Sequence, residues 1–185
     1  MKKLFYTITR GTLFCAFLVF TISANLSANP DPEAKDKMVE DWQRAKDYTK
    51  EYLDAMPADG VTFKPNPDVR SFADQMLHIA GANFAFASAA SGKENPQQGK
   101  NLETMQEYKS KDALSKIVLE SYDFVINAIK DTNEDKFDDN ITLFKWDMSR
   151  ERAFAKAFEH QTHHRGQATI YLRMKGVTPP AEKLF

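Results

Sequence analysis

Two histidines near the end of the chain have the spacing of metal ligands. His160 and His164 lie four residues apart in the run HQTHHRGQ, residues 160–167. At about 100° of rotation per residue, side chains four apart share one face of a helix. Neutral imidazole nitrogens bind zinc and other divalent metals. The pair therefore indicates a metal site, although packed or surface pairs of histidines also have this spacing.

A third histidine lies in another segment with a helical pattern. Small residues share the helical face of each of these histidines. Those beside His78 are Ala82, Ala85 and Ala89, and those beside His160 and His164 are Ala153, Ala157 and Ala168. Small side chains leave space for a ligand, but alanine also favours helices and close packing without any metal. The coincidence of the two features favours a site built from both segments.

Several motifs make the chain resemble the DinB/YfiT-like superfamily of metalloenzymes. They are PDVRSF (67–72), HIA (78–80), HxxxHRGQ (160–167) and YLR (171–173). The resemblance covers most of the chain after its first 28 residues. It implies an all-α four-helix bundle in up-down-down-up order with long crossover loops. It also implies a divalent metal held by one histidine of the second helix and two of the fourth, at His78, His160 and His164.

This resemblance indicates two classes of function. Some members of the superfamily resemble thiol-dependent S-transferases and others metal-dependent hydrolases, so we expect either reaction on a small molecule. The alternative is a non-catalytic bundle that binds a metal or ligand in a stress or sequestration role. Three imidazoles leave a coordination position open, and a metal there lowers the pKa of bound water to about 7. Zinc is the first expectation, while nickel, iron, copper and manganese also fit the ligand type.

Residues around the three histidines have weaker support. Gln167 and Tyr171 lie on the His160 face and are candidate catalytic donors to an oxygen at the metal, although Tyr171 also fits an ordinary core position. Asp74 lies one turn before His78, where capping its own helix is favoured over accepting the outer N–H of the imidazole. His163 and Glu159 point away from the pair. No general base is evident in the sequence.

The first 28 residues have the pattern of a secretory signal peptide. Two lysines precede an apolar run over residues 11–22, which is too short to cross a bilayer comfortably, and Pro30 follows. Cleavage after Ala28 or Ala24 fits this pattern, and an uncleaved leader that anchors the protein is the alternative. Cys15 lies inside the apolar run, which argues against lipid attachment. We therefore expect an exported protein, either periplasmic or extracellular.

Composition limits what the remaining chain can do. Residues 29–185 leave 157 residues, enough for one DinB-like metal-binding domain, and loss of the leader's three cations changes the formal net charge from −1 to −4. Without a basic patch, nucleic acid is not an expected partner. The single cysteine leaves with the leader, and low-molecular-weight thiols are scarce outside the cytosol, which favours hydrolysis slightly. We expect a small-molecule partner and no stable membrane span, and the sequence leaves a homodimer open.

Four segments have apolar residues at helical spacing, over about 32–56, 72–90, 111–130 and 150–175. Candidate caps precede the first three at Asp31, Ser71 and Ser110, the fourth starts after Ser149, and Gly92 and Gly176 follow the second and fourth. The polar stretch 92–109 is long enough to run along a bundle as a crossover. Residues 56–70 and 131–148 should be loops, with a short extended piece at 141–146.

Overall fold

The computed structural model describes residues 32–185, and the predicted leader, its cleavage sites and the Asp31 cap lie outside this range. Four long helices make up most of the fold, and they are α1 (Pro32–Ala55), α2 (Phe72–Ser91), α3 (Lys111–Asp131) and α4 (Arg150–Met174). Two strands, β1 (Asn140–Leu143) and β2 (Trp146–Ser149), form the sheet of the described range. Short 3₁₀ helices lie at Ala58–Gly60, Leu102–Thr104, Gln106–Tyr108 and Glu134–Lys136. The predicted all-α bundle is confirmed.

Side-chain caps set the start of three helices. Ser71 accepts from the Asp74 amide at 3.1 Å and Asp74 accepts from the Ser71 amide at 3.2 Å, which forms a capping box before α2. Ser110 and Ser149 cap α3 and α4 in the same way through their hydroxyls. Gly92 ends α2 with φ of 80°, a left-handed conformation that glycine adopts without steric cost. The predicted boundaries of these helices are therefore correct to within a residue or so.

Contacts at the helix ends give the direction of α2 relative to its two neighbours. The Arg150 guanidinium at the start of α4 donates to the carbonyl of Ala90 at the end of α2, at 2.6 Å, so these helices are antiparallel. Lys93 just after α2 pairs with Asp131 at the end of α3, so α2 and α3 run in the same direction. A parallel pair requires a connection that returns along the bundle.

The first helix completes the bundle between α3 and α4. Lys111 at the start of α3 donates to the Asp54 carbonyl near the end of α1, at 2.8 Å, and this contact makes the two helices antiparallel. The hydroxyls of Tyr52 and Thr169 lie 2.8 Å apart near the ends of α1 and α4, which are therefore parallel. These directions give the up-down-down-up order that the sequence predicted.

The connection from α2 to α3 is the predicted crossover. Its first 3₁₀ helix lies against α2, where Leu102 is buried, and its second lies against α3. Lys109 near its end returns to the start of α2 and pairs with Asp74 at 2.9 Å. The crossover therefore brings residues distant in sequence to the N-terminal half of α2.

The segment before α4 differs from the prediction. In place of a loop with a short extended piece, β1 and β2 form an antiparallel hairpin with Asn140 opposite Ser149 and Leu143 opposite Trp146. Phe144 in the turn has φ of 57°. The strands are four residues long and the turn has neither glycine nor asparagine, so the usual hairpin signals are absent from the sequence.

The core is formed by the apolar stripes predicted for the helices. The predicted inward positions of α3 are all buried, namely Leu114, Ile117, Val118, Val125 and Ile129. Trp42 and Tyr52 of α1 are buried too, as predicted. Within residues 32–185, none of the helices has the length and apolar character needed to span a membrane.

Candidate metal centre

Helices α2 and α4 bring the three predicted ligands together. The ring centroids of His78 and His160 lie 5.0 Å apart, those of His78 and His164 4.4 Å, and those of His160 and His164 4.4 Å. One ring nitrogen from each can be chosen so that all three lie within 4.8 Å of one another. Because α2 and α4 are antiparallel, a histidine in the second turn of α2 meets histidines in the middle of α4.

The surroundings of the cluster keep the imidazoles of His160 and His164 neutral. Partial burial, with smaller contributions from the neighbouring His78 and His163, lowers the pKa of His160 to about 4. Burial also lowers the pKa of His164 to about 4, with the neighbouring His160 and His78 contributing. Metal ligation requires the neutral imidazole, so both side chains are in the required state at neutral pH.

A carboxylate orients His78 from the crossover. Nδ1 of His78 donates to Oε1 of Glu103 at 2.8 Å, which leaves Nε2 as the nitrogen with a free lone pair. Burial alone would raise the pKa of Glu103, but hydrogen bonds from Arg70 and His78 hold it below its usual value. Glu103 is therefore ionised, and a carboxylate behind a histidine is a common arrangement around metals.

The other two imidazoles differ in their surroundings. The Gln75 amide lies 2.8 Å from Nδ1 of His164 and therefore fixes the orientation of that ring. Nδ1 of His160 is buried and has no hydrogen-bond partner among the residues that the structure describes. An unpartnered buried nitrogen is costly unless something electrophilic lies beside it. Three converging imidazoles, one of them with this unsatisfied nitrogen, therefore fit a divalent metal.

Two openings reach the cluster. A cavity of about 590 Å³, here called the hairpin cavity, lies between α4 and the β1–β2 hairpin and is bordered by His160. A second cavity of about 450 Å³ borders both His78 and His160 and includes Gly81, Ala82 and Ala85 in its lining. The prediction of space beside the histidines is therefore correct for Ala82 and Ala85.

The two candidate catalytic residues have other partners. The Tyr171 hydroxyl donates to the carbonyl of Arg70 at 2.9 Å, and its buried ring lies edge-on to Phe72. Burial raises the pKa of Tyr171, so it stays protonated. Gln167 is exposed and its amide contacts His163 and Gln75. Both residues lie beside the cluster, and their catalytic role stays a prediction.

The remaining neighbours lie as the sequence indicated. Asp74 caps α2 and pairs with Lys109. The carboxylate that accepts from the His78 imidazole is that of Glu103. His163 is exposed, and Glu159 pairs with Lys156 on the surface of α4. The capping interpretation of Asp74 is therefore the correct one.

Sequence reasoning missed the residues that support the cluster. Glu103 and Gln75 carry no periodic or spacing signal that would connect them with a histidine. Arg165, inside the HRGQ run, is buried and donates to Gln161 at 2.8 Å and to the Ala45 carbonyl at 3.2 Å. Its guanidinium also lies 4.5 Å from the centre of the Tyr48 ring. Arg165, the residue that follows His164, thus links α4 to α1.

Comparisons with known proteins agree with this architecture. The DinB family model matches residues 27–184. A DinB-like protein from Bacillus cereus has a similar structure with a TM-score of 0.70 and 18% identity, over 80% of this chain and 97% of that one. The DinB-like protein YjoA from Bacillus subtilis gives 0.61 and 22%, over 80% and 96%. No curated protein matches the chain.

Proposed function

The chain belongs to the DinB family, and on that premise we propose that it is an exported metal-dependent hydrolase or transferase acting on a small molecule. The observation that carries the proposal is the meeting of His78, His160 and His164 with their ligand atoms within 4.8 Å of one another. Export to the periplasm or the exterior is proposed from the leader-like residues 1–28, with the domain at 29–185.

The proposed metal ligands are the three imidazoles. A divalent ion held this way, with zinc first among the candidates, acts as a Lewis acid that polarises a carbonyl or phosphoryl oxygen. Glu103 holds the His78 ring in place through Nδ1, and the Gln75 amide does so for His164. Phe86 lies with its ring centroid 5.8 Å from that of His160 and lines both cavities that reach the cluster.

A non-catalytic role is the second candidate, and one observation favours it. Among the described residues near the cluster, the carboxylate of Glu103 is held by Arg70 and His78, and the Tyr171 hydroxyl is held by a backbone carbonyl. No uncommitted base is therefore placed to accept a proton from a nucleophile. A bundle that binds a metal or a ligand without turnover needs no such base.

Metal analysis of the purified protein tests the shared part of both candidates. After loading with Zn²⁺ and dialysis, we expect about one ion per chain in the wild type and loss of that ion in His160→Ala. His163→Ala is the matched control, because His163 lies on the same helix, is exposed and is outside the cluster. Equal zinc content in His160→Ala and the wild type would contradict the proposal.

Turnover then separates the two candidates. The zinc-loaded wild type and His160→Ala are compared on panels of esters, amides and thiol-transfer substrates. Hydrolysis or transfer by the wild type alone supports the enzyme. Full metal occupancy without conversion of any substrate supports sequestration.

A further inference from the structure

The hairpin cavity has a lining that metal binding does not explain. It is bordered by His160 at one end and by aromatic and charged side chains along its walls. Phe144 and Trp146 of the hairpin are 74% and 60% exposed, although the hairpin is otherwise packed against α2 and α4. Large exposed aromatic side chains at the rim of a cavity are typical of a binding surface.

The hairpin turn places Phe144 in an unfavourable backbone conformation. Its φ of 57° is a left-handed conformation that costs a bulky residue about 1–2 kcal/mol. A two-residue hairpin turn takes a positive φ at its first residue, so the turn between Leu143 and Trp146 sets this conformation. Phenylalanine is an unfavourable residue at that position, and most of its ring lies in solvent.

The aromatic wall is continuous from the hairpin to the histidine cluster. The Phe144 ring meets Phe86 edge-on with centroids 5.6 Å apart, and Phe86 lies 5.8 Å from His160. An apolar group lying along these rings would end at the imidazole. The cavity therefore selects ligands with a long apolar body.

Two charged side chains in the lining, Arg152 and Asp147, have no salt bridge within residues 32–185. Lys156 donates to Glu159 at 2.5 Å, and Asp147 accepts from the Thr142 hydroxyl at 2.7 Å. The guanidinium of Arg152 has no hydrogen bond or ion pair with the residues between 32 and 185. Arg152 lies eight residues before His160 on the same helix, about 12 Å along its axis.

We propose that the hairpin cavity binds an amphipathic carboxylate. Its apolar body lies along Phe86, Phe144 and Trp146, its carboxylate lies at the Arg152 guanidinium, and its other end lies at His160. This inference rests on the proposed function, because the end at His160 is the part of the substrate presented to the metal centre. The Asp147 carboxylate already accepts from the Thr142 hydroxyl, whereas the Arg152 guanidinium donates to no described residue, so charge complementarity to Arg152 favours a single anionic group on the ligand.

Three probes with the same apolar body test the proposal, namely phenylhexanoate, phenylhexanol and phenylhexylamine. Binding to the full protein is measured by calorimetry and by tryptophan emission. Trp146 is exposed and Trp42 is fully buried, so the emission change should disappear in Trp146→Phe. We expect the carboxylate to bind about tenfold more tightly than the alcohol, and the amine most weakly.

Two variants and two controls assign the contacts. Arg152→Gln should remove the preference for the carboxylate, and Phe144→Ala should weaken the carboxylate and the alcohol several-fold. Arg173→Gln and Met174→Ala are matched controls with exposed side chains at the far end of α4 and should bind like the wild type. Equal binding of alcohol and carboxylate, no binding of either, or an unchanged preference in Arg152→Gln would overturn the proposal.

Metal content keeps this proposal separate from the function it rests on. Arg152-dependent binding of phenylhexanoate by a protein that holds no zinc supports the cavity assignment and defeats the metal function. A zinc-loaded wild type without any preference for the carboxylate defeats the cavity assignment and leaves the metal function standing.

Discussion

Glu103 and Gln75 illustrate how individual side chains prepare the histidine cluster. Each contacts the Nδ1 side of an imidazole, Glu103 that of His78 and Gln75 that of His164, at 2.8 Å in both cases. Such contacts fix the ring plane and, for a carboxylate, increase the basicity of the opposite nitrogen. Nδ1 of His160 has no hydrogen-bond partner in the described chain, so the orientation of this ring depends on packing.

At this scale, we predict that Glu103→Gln lowers zinc affinity about tenfold. The amide keeps the hydrogen-bonding geometry but removes the negative charge that favours a more basic imidazole. Competition with a chromophoric chelator measures the affinity. Glu107→Gln, an exposed residue of the same crossover, is the control and should bind zinc like the wild type. Equal affinities for Glu103→Gln and its control would mean that the carboxylate does not tune the site.

The three histidines could be predicted from the sequence because ligands on helices leave a spacing signal and resemble a known motif. Glu103 could not, since it lies 25 residues after His78 in a segment without regular periodicity. Its place depends on the path of the crossover, which is a property of the tertiary fold. Long-range contacts of this kind leave no local pattern in one sequence.

Among the elements, α2 is the most strongly defined at its start. The capping box of Ser71 and Asp74 and the ion pair from Lys109 converge on the turn that precedes His78. Burial alone would raise the pKa of Asp74, but Lys109 and Ser71 hold it below its usual value. The ionised carboxylate therefore stabilises the folded state more than the protonated form does.

We predict that Asp74→Ala lowers the free energy of unfolding by about 1–2 kcal/mol at pH 7. The pKa of Asp74 is lower in the folded state than in the unfolded state, so its charge stabilises the fold fully above a pH of about 4. This stabilisation is lost as the pH falls through the pKa of Asp74 in the folded state. The difference between wild type and variant in urea denaturation should therefore shrink from pH 7 to pH 3.5. Asp138→Asn, an exposed residue without a contact of this kind, should show no such trend. A pH-independent difference would contradict the role of the charge.

Helices and the hairpin differ in how well the sequence predicts them. The helices have both periodic apolar residues and cap residues such as Ser71, Ser110 and Ser149, so two independent signals agree on each boundary. The hairpin has four-residue strands and a turn at Phe144 with an unfavourable backbone conformation. Packing on α2 and α4, which is not visible in local sequence, is what stabilises it.

At the scale of the whole molecule, the cluster connects two helices from different halves of the bundle. His78 lies on α2, and His160 and His164 lie on α4, so an ion bound to all three is a cross-link between them. Arg165 and the Tyr52–Thr169 contact connect α4 to α1 on its other side. Unfolding of α4 would therefore break both the metal site and the core.

We predict that metal stabilises the protein against thermal unfolding. Zinc at about 100 times its dissociation constant should add about 2.7 kcal/mol, or roughly 5–10 °C in Tm for a domain of this size. Differential scanning calorimetry with and without zinc measures the shift. His160→Ala should show little shift and His163→Ala the full one. An equal shift in both variants would place the stabilising ion elsewhere.

The separation of the ligands along the chain has a consequence for how the protein acquires its ion. More than eighty residues lie between His78 and His160, and His160 and His164 both belong to α4. A growing polypeptide therefore has no complete set of the three imidazoles until α4 has been synthesised and has docked on α2. An ion that needs all three ligands would be loaded only after that step, so the compartment in which α4 docks would determine which ion is available to the site.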